Sequence, residues 1–480
     1  MTWPTRSAGV CAALTLSACM VGPNFKAPTP PLGAMSPLVS FNPTAESAGQ
    51  PPDDWWRLYS DPRLDRYIHE AFTANYDLAA AQANLSEARA VLEAARAGRY
   101  PSTVAEAGAV YGRDATTDEI LGIVGAPNQT IWKFDDVLDV SYELDLFGRV
   151  RRSIRASKAD AEATAAARDD LRITIAAETA RAYAEICTLG EQIDVAHRSY
   201  DIVEREAAIT AGQQDAGAGS QYNTLRARGL AAQVRASIAP LEGQRRSAYF
   251  ELAALLGKTP SYAPAEALSC VTAPRLPGLI PIGDGAGLLR RRPDIREADR
   301  RLAAATERVG VATADLYPRI SLTGAYGGAG GSPNSLISER GLIWGAGPAI
   351  SWDFPIQATP RARIHAAKAS AQGALDTFDS TVLRALKETE QALATYSAEL
   401  DHRQALADAQ DNERRAFDAA RSGLDAGAVS SLDLLTTEQS LVAADAAVAA
   451  SDTALAQDQI AVFKALGGGW GGQAKIADAK

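Results

Sequence analysis

Hydrophobic and polar positions along this 480-residue chain follow two rhythms. Most of the chain repeats apolar residues at helical spacing, whereas four short stretches read as strands, two of them by clear alternation. The clearest alternation covers residues 136–146. Leu138, Val140, Tyr142, Leu144 and Leu146 share one face, and Asp139, Ser141, Glu143 and Asp145 share the other. Residues 343–354 repeat the logic, with Trp344, Ala346, Pro348, Ile350, Trp352 and Phe354 set against Gly345, Gly347, Ala349, Ser351 and Asp353. Aromatic residues near the strand ends suit a membrane interface, while Pro348 removes one ladder hydrogen bond. Residues 103–112 and 319–328 are the expected partner strands. Each stretch is near the roughly 9 to 11 residues of a tilted membrane strand. A soluble sandwich would alternate in the same way, but four strands among long helices do not make one. Nor can four strands close, since the smallest barrels need about eight and an open edge in lipid leaves backbone groups unpaired. The barrel must be shared between chains.

The helical rhythm occurs twice. Asn75-Tyr76-Asp77-Leu78 leads through an Ala/Arg-rich helix to Tyr100-Pro101, and Arg292-Pro293-Asp294-Ile295 leads through another to Tyr317-Pro318. After each strand pair comes a long helix. One opens at Phe147-Gly148-Arg149 and runs to about Thr188; the other follows Pro360 and runs to about Leu400. At 1.5 Å per residue, a helix of about 40 residues extends roughly 60 Å, which suits a projecting tube. The seams are mostly alanine, so neighbouring helices pack closely as antiparallel hairpins. Turns are expected near Leu189-Gly190 and at residues 399–404. Gly-broken joints follow at Asp215-Ala216-Gly217-Ala218-Gly219-Ser220 and Asp425-Ala426-Gly427-Ala428-Val429-Ser430, and Leu256-Gly257 and Leu466-Gly467 end the returning helices at the same offset.

At the start, Arg6 supplies a weakly positive head and residues 8–16 an apolar run too short to span a bilayer. Leu16-Ser17-Ala18-Cys19 resembles the bacterial lipoprotein box. That resemblance implies cleavage after residue 18 and acylation of Cys19, and Met20, which is not aspartate, implies sorting to the outer membrane. No later segment offers the roughly 20 apolar residues of a spanning helix.

Composition narrows the function. Lys and Arg number 48 against 58 Asp and Glu, a net charge of −10 that argues against a nucleic-acid partner. Of four cysteines, Cys11 leaves with the signal and Cys19 takes lipid, so Cys187 and Cys270 could form one disulfide. None is expected, because Cys187 is placed near a helix tip and Cys270 in a Pro-rich connector. His69, His197, His365 and His402 show no metal-ligand spacing. No nucleophile with a base and no phosphate loop appears, so no enzyme and no cofactor are expected. Gly327-Gly328-Ala329-Gly330-Gly331 reads as an extracellular hairpin loop.

Several motifs together resemble the TolC-like outer membrane factors, in the lipoprotein branch of resistance-nodulation-division multidrug efflux. They are Cys19 in its box, Leu58-Tyr59-Ser60-Asp61-Pro62, Ala88-Arg89-Ala90 before Tyr100-Pro101, Asp145-Leu146-Phe147-Gly148-Arg149-Val150-Arg151-Arg152, Arg291-Arg292-Pro293-Asp294-Ile295, and Ala465-Leu466-Gly467-Gly468-Gly469-Trp470. The resemblance implies a mainly α chain with a transmembrane β-barrel part, built as a duplicated half. Four strands per chain would complete a twelve-stranded barrel in a homotrimer, on a twelve-helix periplasmic tunnel. Residues 1–18 are then a signal peptide and 19–74 a lipidated N-terminal segment and equatorial region. Residues 75–288 and 289–467 are the two repeats, and 468–480 a tail. Implied partners are a periplasmic adaptor protein, an inner-membrane pump and outer membrane lipid. The channel would pass drugs or other toxic small molecules passively. A duct for type I protein secretion and a non-conducting lipoprotein spacer are the alternatives.

Channels of this kind close at the periplasmic tip through rings of charge. On the helix expected after the second tip, Asp408, Asp411, Arg415 and Asp418 recur at helical spacing on one face, and threefold symmetry turns each into a ring. These four are the candidate gate, and a solvated outer face is the plainer reading of the same stripe.

Overall fold

Asp145, Ser220 and Ser430 cap the starts of long helices in this chain, and glycines of left-handed φ follow helix ends at Gly217, Gly257, Gly427 and Gly467. The computed structural model describes residues 20–113, 119, 122–123, 125, 127, 130–272, 274–354 and 357–468. The signal peptide, Cys19 and the tail from residue 469, with Trp470, lie outside the described residues. In chain order the elements are β1 (Glu46–Ser47), a 3-10 turn (Trp55–Tyr59), α1 (Pro62–Ala74), α2 (Tyr76–Ala97), β2 (Ser102–Gly112), β3 (Ile131–Glu143), α3 (Arg149–Asp215), α4 (Gln221–Leu255), β4 (Ile280–Pro281), α5 (Gly285–Arg291), α6 (Pro293–Ala314), β5 (Arg319–Gly330), β6 (Leu342–Ser351), α7 (Ala358–Asp425) and α8 (Ser431–Ala465). They form two units. The first takes residues through Pro28, Leu85–Thr164 and Ala298–Phe378; the second takes Thr29–Asn84, Ala165–Glu297 and the chain from Asp379 on.

The first unit holds an antiparallel sheet in the order β2-β3-β5-β6. Its register puts Ala105, Leu138, Tyr326 and Trp344 in one row across the four strands, and Val104, Asp139, Ala325 and Gly345 in the next. Because side chains alternate, the first row belongs to an apolar face and the second to a face carrying Glu106, Asp139 and Ser141. Strand β3 starts and stops earlier than the alternation over 136–146 suggests. Asp145 leaves the strand because its carboxylate caps α3, accepting from the Val150 and Arg151 amides at 3.0 and 2.9 Å. Strand β6 stops at Ser351, and Trp352 instead donates its indole N–H to the Leu316 carbonyl at 3.1 Å. Pro348 sits on this edge strand, the place in a sheet that tolerates a missing donor. Gly327, Gly328 and Gly330 lie within β5 rather than in a loop. Below the sheet, α2 packs Leu92 on Val150 and Ile154 of α3, and Ala159 of α3 meets Ala303 and Ala304 of α6.

The second unit gathers its core around Trp55, Ile68, Tyr183, Leu252 and Phe463. Trp55 stacks on Phe463 with ring centroids 4.7 Å apart. The sequence motifs are fastenings of this core. In Leu58-Tyr59-Ser60-Asp61-Pro62, Asp61 caps α1 by accepting from the Arg63 amide at 2.8 Å, Pro62 opens the helix, and the Tyr183 hydroxyl donates to the same carboxylate at 2.8 Å. Arg292 ties α6 to the end of α8, donating to the Ala465 carbonyl at 2.9 Å while pairing with Asp294 and Glu388. A short parallel pair, β1 with β4, joins the two connectors.

Neither expected turn falls where the sequence places it. Helix α3 runs unbroken through Leu189-Gly190, and α7 runs unbroken through residues 399–404. The hairpin turns are the Gly joints themselves. Gly217 and Gly427 take left-handed φ of 74° and 73°, and Ser220 and Ser430 cap the helices that follow. The mid-helix Gly190 serves another purpose: a Cβ there would lie 2.5 Å from the Cys270 carbonyl oxygen. The connector presses on α3 at this point, and Cys187, one turn earlier, is disulfide-bonded to Cys270 with the Cα atoms 4.7 Å apart. The expectation of free thiols rested on placing Cys187 at a tip, whereas it is buried in the core.

The disulfide closes a loop with a sequence separation of 83 residues. Chain-entropy arguments assign such a cross-link about 4 to 5 kcal/mol. A Cys187→Ser, Cys270→Ser double variant is therefore expected to unfold at clearly lower denaturant than the oxidised parent and to match the parent under reducing conditions.

Candidate functional site

The stripe Asp408, Asp411, Arg415 and Asp418 lies on α7, before the second turn rather than after it, and all four residues are exposed. At 100° per residue they fall within an arc of about 80°. Phe417 lies on the opposite side, packed on Leu434 and Leu441 of α8. Gln410 and Arg414 reach the same helix, both donating to Asp445, at 2.7 and 2.9 Å. The stripe thus points away from the hairpin partner. Within it, Arg415 pairs with Asp411 at 2.7 Å, their side chains 75% and 57% exposed. An ion pair so open to water contributes well under 1 kcal/mol, so it orders the stripe without locking anything alone. Asp408 accepts from the Gln404 amide at 3.0 Å, and Asp418 keeps its carboxylate in solvent.

Counted back from Gly217 as from Gly427, the first repeat places Arg198, Asp201, Arg205 and Ala208 at the equivalent positions of α3. Asp408 faces its counterpart in sign as Arg198, and Asp418 replaces Ala208. The two hairpins therefore carry unlike stripes on like scaffolds, the second more acidic than the first.

A buried carboxylate near the turns gave no signal in the sequence. Glu438 of α8 is 2% exposed, and neither carboxylate oxygen has a hydrogen-bond partner among the described residues. Around it, Leu435 packs on Ala207 and Ala227, and Val442 on Val203, Ala231 and Val234. Burial pushes its pKa up to about 7, with Glu206 of α3 adding to the shift and Arg421 of α7 opposing it. Glu438 reads in sequence as one more polar position of an Ala-rich helix; only the packing of α3, α4 and α8 around it shows that water is excluded. Among the described residues, no group of three or more His, Cys, Asp or Glu side chains could hold a metal ion, and no helix is long and apolar enough to cross a membrane.

A sheet with one apolar and one acidic face, joined to duplicated Ala-rich helical hairpins, defines an outer-membrane channel. The comparisons agree. The outer membrane efflux protein family matches residues 67–258 and 287–468, and the chain belongs to that family. It is 29% identical over 481 residues to the pyoverdine export outer membrane protein OpmQ of Pseudomonas putida, covering 98% of both chains. To the cation efflux system protein CusC of Escherichia coli K12 it is 28% identical over 480 residues, covering 97% of this chain and 100% of CusC. The structure of the outer-membrane channel OprN superposes with a TM-score of 0.88 at 32% identity, covering 94% of this chain and all of OprN. The protein is an efflux channel of the outer membrane.

Two measurements address the charged residues. Replacing Asp408 and Asp411 with alanine is expected to lower the cation-to-anion permeability ratio in planar bilayers severalfold, roughly as the loss of charged rings does in other pores; unchanged conductance and selectivity would remove both from the gate. Glu438 predicts a pH dependence. Its unfolded carboxyl titrates near 4.5 and its folded one near 7, so the folded chain holds the extra proton between those values. Stability is full below the unfolded value and is lost as pH rises through the folded one. Glu438→Gln should match the parent near pH 4.5 and exceed it at pH 8 by about 2 to 3 kcal/mol, measured by denaturant unfolding.

Proposed function

We propose that three copies of this chain close one barrel in the outer membrane and form the passive exit duct of a tripartite efflux system, joined through a periplasmic adaptor protein to an inner-membrane pump. The observation that carries the reading is the sheet. Its order leaves one edge of β2 and one of β6 without a strand neighbour among the described residues, and its apolar face calls for lipid. In hydrocarbon those two edges must pair with something, and identical copies supply complementary edges.

Cys19 is the lipid anchor in this proposal, acylated after removal of the signal peptide. Asp408, Asp411, Arg415 and Asp418 line the periplasmic gate, where threefold repetition of exposed aspartates attracts cations and their spacing from Arg415 sets how firmly neighbouring helices hold. The cargo is a toxic small molecule. Relatives named for pyoverdine export and for cation efflux differ in cargo on the same scaffold, which supports selection upstream of the duct. The chain does no covalent chemistry.

Detergent-solubilised protein should run as a trimer in light scattering and conduct ions in planar bilayers. Deleting the gene should sensitise cells to several unrelated toxic compounds while leaving protein secretion intact. A stable monomer, or sealed bilayers, would end this reading.

A further inference from the structure

The first unit buries a cation completely. Arg152, on the first turn of α3, has no solvent exposure. A charge so placed needs several acceptors. One is the Glu307 carboxylate of α6 at 2.8 Å. The others all come from a short strap at the start of the described chain: the Val21 carbonyl at 3.2 Å, the Gly22 carbonyl at 3.1 Å and the Asn24 side-chain oxygen at 3.0 Å. Without residues 21–24, the guanidinium would keep, among the described residues, only Glu307 and would face water where the strap now lies.

The strap is fitted from its other side as well. The Val21 amide donates to the Phe147 carbonyl at 3.2 Å. Gly22 takes a left-handed φ of 87°, and a Cβ there would stand 2.6 Å from the Cα of Gly310. At Gly148, φ 83°, a Cβ would run into Met20 Cγ. Phe25 packs on Ala159, Ala303 and Ala304, with the Arg300 guanidinium 5.4 Å from its ring centre. Three glycines and a buried ion pair thus shape one groove around five or six residues.

The groove lies beside one of two aromatic ends of the sheet, the other being marked by Tyr111, Trp132 and Phe134. Phe147, which receives the Val21 amide, stacks on Tyr317 with centroids 4.5 Å apart, and Trp352 stacks on Phe354 at 4.8 Å while its indole bonds Leu316 next to Tyr317. Aromatic residues at strand ends mark the level where headgroups meet hydrocarbon.

We propose that Arg152 and Glu307 form a dock for the strap at residues 20–25, holding the residue next to Cys19 at the bilayer interface so that its acyl chains enter lipid directly beside the sheet. Arg152 is a positioning residue: it acts on the anchor through the strap. The proposal rests on acylation of Cys19, so the test separates the two.

The full chain, purified from outer membranes, is examined by hydrogen exchange of the peptide covering residues 20–28 and by the mass of the N-terminal peptide. In the parent the strap is expected to be protected. Arg152→Gln should raise its exchange about tenfold, as expected for losing charge-assisted bonds, with Arg152→Lys intermediate because an ammonium cannot reproduce the fork. Gly22→Val, which leaves Arg152 in place, should release the strap equally, and peptides of α4 and α8 should keep parental protection in all three variants. An unprotected strap in the parent, or a strap still protected in Arg152→Gln and Gly22→Val, overturns the dock. A parental N-terminal peptide without added acyl mass overturns the anchoring role, whatever the exchange shows.

Discussion

The controlling constraint is the hydrogen-bonding capacity of two strand edges. Lipid offers no partner for a backbone amide, so a sheet of four strands with an apolar face exists there only as part of a closed ring. Lipid on one side of that ring and water on the other explain why Leu138, Tyr326 and Trp344 share one face while carboxylates concentrate on the other. The need for closure also explains why stability within one chain is invested elsewhere, in the large core around Trp55 and Phe463 and in the capped ends of the long helices.

The motifs that carry the family resemblance are almost all terminations. Asp61 and Pro62 start a helix, Asp145 and Gly148 start another, and Arg292 holds the carbonyl at the end of a third. Such residues are legible in sequence because a cap needs particular atoms at one position, whereas a seam of alanines accepts many arrangements. The alternation of the strands was legible for the same kind of reason, since a period of two has one geometric meaning. Its ends were not: Asp145 continues the alternation in sequence yet belongs to the next helix as its cap.

What stayed hidden were contacts between segments distant in the chain. Leu189-Gly190 looks like a break, because a glycine in a helix usually costs stability, but this glycine makes room for the connector at Cys270. With that turn misplaced, Cys187 seemed far from its partner, and with the turn at 399–404 misplaced the acidic stripe seemed to lie past the second turn. The candidate gate residues could be grouped by spacing, yet the solvent-facing side of α7 was fixed only by Phe417 and Arg414 turning toward α8. Glu438 needed three helices, and the Arg152 groove two helices and a strap, to be in place before either could be seen.

The bond between Cys187 and Cys270 also dates the maturation of the chain. Thiols stay reduced in the bacterial cytosol and oxidise in the periplasm, so the connector can be stapled to α3 only after export. A newly made polypeptide reaches the translocation machinery without this staple, still pliable enough to thread, and becomes locked on the far side. Oxidative folding enzymes thereby stand between secretion of the precursor and its assembly into the envelope.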